Sequence, residues 1–242
     1  MSTGTLLLVA GIAAYWWWRT RGPGRTSSPR RHGGGPIAGA GASADAHARE
    51  LRTPAVRLAT ALRIPTAAEA RARRFEVAAV GERYVARLLG PLVAEGWTFL
   101  PDRRLPRGNA NVDILAFSPK GAVYVLDPKK WSGSARRRLA VRGGRLFHGQ
   151  EDVSDRMRGL VHETRTVARL LRAPTVPIAV MVGPMARGTQ LRYRRDGQVI
   201  RLVPAEDICD VLRALETTRI PNPCPAQLVA TAERLLPPKT WK

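Results

Sequence analysis

The chain has 242 residues, with 40 Lys and Arg against 19 Asp and Glu, a formal charge of +21. That imbalance suits a polyanionic partner, nucleic acid or an anionic membrane surface, although an Arg-rich, Ala-rich chain can also reflect coding bias. Its two cysteines, Cys209 and Cys224, exclude a disulfide framework and lack the short spacing of a zinc site, and 44% hydrophobic residues suffice for one folded core.

In chain order, the first expected element is a membrane anchor at residues 1–21. No charge precedes Arg19, and a helix from Ser2 to Trp18 would run about 25 Å, slightly short of the ~30 Å hydrocarbon core. Trp16, Trp17 and Trp18 would lie at the headgroup level with Arg19, Arg21 and Arg25 beyond them. This order predicts a single pass with the N-terminus outside and the rest of the chain on the cytoplasmic side of the cell membrane. The segment has no basic n-region and no small-residue cleavage site, which argues against a cleaved signal peptide; a buried amphipathic helix is the other reading. Residues 22–65 read as a flexible linker rich in Gly, Pro and Arg, with a short helix near 50–64 broken at Pro54 and ended by Pro65.

The main domain is expected over residues 66–204. Thr66 followed by Glu69 marks a helix start in capping-box spacing. Phe75, Val80, Tyr84, Leu88 and Leu92 mark the apolar face of that helix, Pro91 bends or interrupts it and Gly96 ends it. Strands follow at 97–105, 111–118 and 121–131, then a hairpin turning at Gly143-Gly144. A helix over 152–172, a buried strand TVPIAVMVG and a second hairpin at Asp196-Gly197 come next. Helices near 205–216 and 224–236 make a C-terminal extension over 205–242. The expected class is α/β, in the order helix, three-stranded meander, hairpin, helix, strand, with no repeat of solenoid length.

Within the meander, residues 111–131 read NVDILAFSPKGAVYVLDPKKW, and the charges inside these apolar runs need an explanation, since buried charges are paired or bind a metal. A turn at Ser118 to Gly121 brings Asp113 opposite Leu126 or Asp127. Asp127 and Lys129 then share a face with Trp131 beyond them, while Val112, Ile114, Tyr124 and Leu126 form the opposite, apolar face. Two neighbouring carboxylates repel unless a cation lies between them, and Mg2+ or Mn2+ takes such oxygen ligands together with water and phosphate. Lys129 beside that cation would orient or deprotonate a water, or neutralise charge on phosphorus. A purely structural alternative pairs Asp113 with Lys129 across the strands and leaves Asp127 solvated.

The pieces GERYVARLL (81–89), NVDILAF (111–117) and GAVYVLDPKKWSG (121–133) occur in an order that resembles the PD-(D/E)xK nuclease superfamily, and within it the nuclease-related domain, NERD. A lone D-x-K would carry little; the resemblance rests on the order of all three across residues 75–182. It implies a restriction-endonuclease-like core, with Asp113 and Asp127 as metal ligands, the Pro128 carbonyl as a third oxygen, Glu82 as a further ligand or the holder of a metal-bound water, and Lys129 as the catalytic lysine. Asp127 departs from the pattern, since Glu is commoner there. Where related nucleases often carry a polar helper, the helix at 152–172 offers His162, Glu163 and Arg165 with no single match.

Other residues keep two readings each. Glu82 is a site residue or an exposed helix residue paired with an Arg. Trp131 covers the end of the core or stacks on a base, and Arg136, Arg137 and Arg138 form a solvated turn or contact phosphate. His148 and His162 read as surface or packed histidines. The expected function is a membrane-anchored, Mg2+- or Mn2+-dependent nuclease acting on nucleic acid, DNA rather than RNA. The alternative is a non-catalytic module of the same fold that binds nucleic acid or anionic lipid.

Overall fold

Alternating apolar runs and two Gly-bearing turns build most of the sheet. The structure, a computed structural model, describes residues 37–131, 137–217 and 225–239. All belong to Gly34–Lys242, the second of two units into which the chain divides. The predicted anchor at 1–21 lies outside the described residues, and among them no helix is long and apolar enough to cross a membrane.

Strands β1 (Thr98–Arg104), β2 (Asn111–Phe117) and β3 (Val123–Lys130) form the expected antiparallel meander. A small three-stranded sheet follows, made of β4 (Leu139–Arg142), β5 (Arg145–His148) and β6 (Glu151–Asp152). Helix α5 (Arg158–Leu171) then returns the chain to β7 (Thr175–Val182), parallel to β3. The hairpin β8 (Leu191–Arg195) and β9 (Gln198–Pro204) completes a six-stranded sheet in the order β1-β2-β3-β7-β9-β8. Both hairpin turns have two successive residues at positive φ, Gly143 with Gly144 and Asp196 with Gly197, as a twist-matched two-residue turn requires.

Alternation along the strands fills two cores. Leu115, Phe117, Val123 and Val125 pack with Leu160, Val167 and Leu171 of α5. On the other face Ile114, Ala116, Tyr124 and Leu126 pack with Val85 of α3 (Ala67–Leu88), with Leu89 at its end, and with Ile208 and Leu212 of α6 (Ile208–Thr217). Val112 departs from the expected alternation and joins the α5-side core. A last helix, α7 (Pro225–Leu235), packs against that same core through Leu228 and Ala232.

Several boundaries differ from expectation. Within the expected linker, α1 (Ala42–Leu51) is helical, while α2 (Pro54–Ala61), capped by Thr53, falls within the short helix expected near 50–64, with the break just before Pro54. Composition suggests a linker because α1 has few large apolar side chains, yet small ones let it lie close on α3, where a Cβ on Gly41 would come within 2.9 Å of the Ala79 carbonyl. The buried face of α3 differs from the expected one for the same reason. Ala72, Ala79, Gly81, Glu82, Val85 and Ala86 are its buried residues, while Val80 is 44% exposed. Close approach selects small residues: a Cβ on Gly81 would lie 3.2 Å from the Lys130 Cβ. The capping box is half formed. Thr66 accepts from the Glu69 N–H at 3.1 Å, but the Glu69 carboxylate is taken by Arg52 and Arg73. Pro91 does interrupt the helix, with α4 (Gly90–Ala94) starting afresh. Helix α5 starts later than predicted because residues 151–157 close the small sheet and make a 3-10 turn, in which Ser154 accepts from the Leu146 N–H at 2.9 Å.

Candidate active site

The site begins where two strands part. Pairing of β2 with β3 runs from Phe117↔Val123 to Ile114↔Leu126, whereas β3 stays paired with β7 as far as Lys130↔Val182. The next positions after Ile114 and Leu126 are Asp113 and Asp127, so the carboxylates stand at the fork. On the far side of β2, the pairs Pro101↔Ile114 and Arg103↔Val112 put Asp102 level with Asp113. Three aspartates thus lie in a row on three neighbouring strands.

Their contacts differ. Asp127, 4% exposed, accepts an ion pair from Lys129 Nζ at 2.7 Å. Asn111 Nδ2 reaches both Asp102 Oδ1, at 2.9 Å, and Asp113 Oδ1, at 3.4 Å, tying two of the acids together. Asp102 adopts φ +54°, a left-handed conformation that Asp tolerates better than most residues. Its carboxylate accepts the Ser43 N–H at 2.7 Å, satisfying a free donor in the first turn of α1. Its carbonyl accepts the Lys239 N–H at 2.8 Å, and Lys239 Nζ reaches Asn111 Oδ1 at 3.1 Å.

Glu82 arrives from α3, which packs on one face of the sheet. It is 5% exposed, its carboxylate accepts the Gly41 N–H, and its Oε2 is a buried oxygen with no hydrogen-bond partner. Burial, followed by the charges of Asp102 and Asp127, pushes its carboxyl up to about 8. Burial and then the Glu82 and Asp127 charges hold Asp113 well above the usual carboxylate range. Glu163 of α5 is pushed up to about 8 by burial and then by Asp127. Lys129 shows the converse: burial works against its charge, but the adjacent Asp127 and then Asp113 outweigh it and hold the ammonium protonated. Crowded carboxyls thus hold on to protons around the Asp127–Lys129 ion pair at the floor of the site.

Around these groups lies an open cleft of about 630 Å3. Glu82, Asp113, Asp127, Pro128, Lys129 and Trp131 all line it, so the structure brings together every one of those predicted positions. Trp131 is half-buried, with the Arg156 guanidinium 5.2 Å over its ring and His148 at 5.4 Å. Arg137 and Arg138 do not line the cleft, and Arg138 is exposed; Arg136 lies outside the described residues. His148 is buried and His162 exposed. Sequence reasoning missed Asp102, Asn111, Lys239, and the cleft wall formed by Ser43, His47, Arg71 and Arg74. The signal that could have found Asp102 is the pairing register of the first two strands, which sets Pro101 against Ile114 and Arg103 against Val112.

The donor set is one that a hard divalent cation prefers: clustered carboxylate oxygens, one of them unpartnered. Among the described residues, however, no three His, Cys, Asp or Glu side chains converge tightly enough to form a metal cluster. Glu82 reaches the cleft from a helix laid on the sheet, whereas Asp113 and Asp127 stand on the strands themselves.

Residues 78–182 match the family model described as the nuclease-related domain. This segment is a NERD domain. No curated protein and no solved structure matches the chain significantly. The NERD domain holds Glu82, Asp113, Asp127 and Lys129 and is consistent with the wider PD-(D/E)xK superfamily. The α1 wall, the first turns of α3 with Arg71 and Arg74, and Lys239 lie outside the matched residues.

Proposed function

We propose that the cleft hydrolyses phosphodiester bonds of nucleic acid with the help of Mg2+ or Mn2+. The observation that carries this reading is the fork itself, where buried carboxylates crowd one protonated lysine and one carboxylate oxygen of Glu82 has no partner. Asp113 and Asp127, with the Pro128 carbonyl and Glu82, would hold the cation. It would supply Lewis-acid polarisation of a phosphoryl oxygen. Lys129, kept charged by Asp127, stabilises the negative charge that develops on phosphorus during attack. Asn111 orients Asp113, and the buried floor limits access of bulk water. DNA is the preferred substrate in this reading. The order of apolar residues, tryptophans and arginines in residues 1–25 supports a single-pass anchor, N-terminus outside, that holds the domain at the cytoplasmic face of the membrane.

The experiment is cleavage of single- and double-stranded DNA and of RNA by the full chain, with Mg2+, with Mn2+ and with chelator. Hydrolysis that needs the cation supports the proposal; none on any substrate overturns it. One observation favours the non-catalytic alternative, in which the same cleft binds nucleic acid or anionic lipid. Asp127 is satisfied by Lys129, and Glu82 takes part in holding the start of α1, so the charges have internal partners. Metal-independent binding without cleavage would establish that reading.

A further inference from the structure

Of the six residues of α3 that line the cleft, Arg71, Arg74, Phe75, Ala78 and Glu82 follow the spacing of a single helical stripe, with Val77 at its edge. At 1.5 Å per residue, Arg74 lies about 12 Å and Arg71 about 16 Å along the axis from Glu82. Arg73, round the helix, is neutralised by Glu69 at 3.0 Å, whereas among the described residues no carboxylate pairs with Arg71 or Arg74. Lys130 and Lys239 line the same cleft. His47 of α1 packs edge-on against Phe75, with ring centroids 4.4 Å apart, and so fixes the orientation of that ring.

We propose that this stripe is a track for one nucleic-acid strand, with phosphates on Arg74 and Arg71 and a base against Phe75, leading the next phosphodiester to the fork. The inference rests on the nucleic-acid reading of the cleft. Its first support is composition: a cationic trough interleaved with an aromatic ring is how proteins hold single strands. Size is the second. A cleft of about 630 Å3 falls in the range of small-molecule sites, and its floor is buried, with Asp127 only 4% exposed. A single strand can splay a phosphate and a base into such a space, which a stacked duplex cannot do without opening. The third is position: Arg71, Arg74 and Phe75 precede the matched NERD residues 78–182, so the track is contributed by this chain's own flank.

The test is binding of labelled single-stranded DNA, single-stranded RNA and a DNA duplex of the same sequence to the full chain in chelator, across a range of salt. The better-bound single strand should exceed the duplex by at least about tenfold. R71Q/R74Q should weaken it by at least about tenfold and flatten the slope of log affinity against log salt by about 1.4, since each phosphate contact to a single strand contributes about 0.7. F75L should weaken it about fivefold and leave that slope unchanged. The control is R192Q/R194Q, which removes two exposed arginines of β8 that do not line the cleft and should leave the slope close to wild type. A duplex bound as tightly as either single strand, or a control pair that flattens the slope as much as R71Q/R74Q, overturns the track. Because binding is read without metal, absence of cleavage with these results intact defeats only the nuclease reading. Metal-dependent cleavage that is indifferent to R71Q/R74Q defeats only the track.

Discussion

The two halves of β3 have opposite characters. Val123, Tyr124, Val125 and Leu126 are fully buried and paired on both sides, to β2 and to β7. From Asp127 to Lys130 only the β7 side remains paired, and three of the four residues are Asp or Lys. A strand flanked on both sides in a covered sheet has no room for charge. Once β2 diverges, carboxylates and a lysine can sit beside a cleft while the backbone stays anchored. The same strand thus supplies rigidity at one end and chemistry at the other, the arrangement that precise sites need.

The largest expected effect comes from breaking the polar half. Asp127→Asn should lower cation-dependent cleavage by roughly 10^3-fold or more, and Lys129→Ala should do the same. Nucleic-acid affinity in chelator should be unchanged or slightly higher in Asp127→Asn, since a carboxylate facing phosphates is gone. Cleavage assays beside binding titrations check both. Breaking the apolar half should act on folding alone. Leu126→Ala should cost about 2–5 kcal/mol of stability through the cavity it leaves, read by denaturant unfolding, while activity per folded molecule stays near wild type.

A pH scan sharpens the contrast further. Glu82 and Glu163 are each pushed up to about 8 in the folded chain, against an ordinary value of 4.5. Between these values the folded state binds more protons than the unfolded one, so stability must fall as pH rises from about 4.5 to about 8. Melting in chelator should show that fall, by about 2–4 °C for each kcal/mol lost, and Mn2+ should blunt it at the high-pH end. Glu69, lowered to about 2 by Arg52 and then Arg73, acts in the other direction, but only below about 4.5. Its window does not overlap.

Asp102→Asn is the mildest break. Asn tolerates the left-handed backbone and keeps the shape, but the Ser43 N–H loses its charged acceptor. A loss of about 1 kcal/mol is expected, with faster hydrogen exchange confined to α1.

Much of the core site is legible in the sequence because it depends on local geometry. The SPKG turn, the two-residue alternation and the spacing of Asp113, Asp127 and Lys129 constrain one another over a short stretch of chain, and the matched NERD segment contains all of them. The face of α3 is not legible, because its buried stripe of Ala and Gly admits α1 and β3 at close range, and small residues give no apolar periodicity to read. Arg71 and Arg74 read as any solvated helix arginines until the packing of α1 turns that side of α3 into a wall.

The sequence by itself determined the order of elements, both hairpin turns and the juxtaposition of two aspartates and a lysine, since turns and strand alternation are decided by neighbours along the chain. Only the tertiary structure decided that β2 and β3 part at Ile114 and Leu126, that Asp102 turns to hold the start of α1, and that Lys239 returns to Asn111. Those last two contacts join residues 59 and 128 positions apart. Closing loops of that length is repaid only by the packing of the whole fold, which no local pattern encodes.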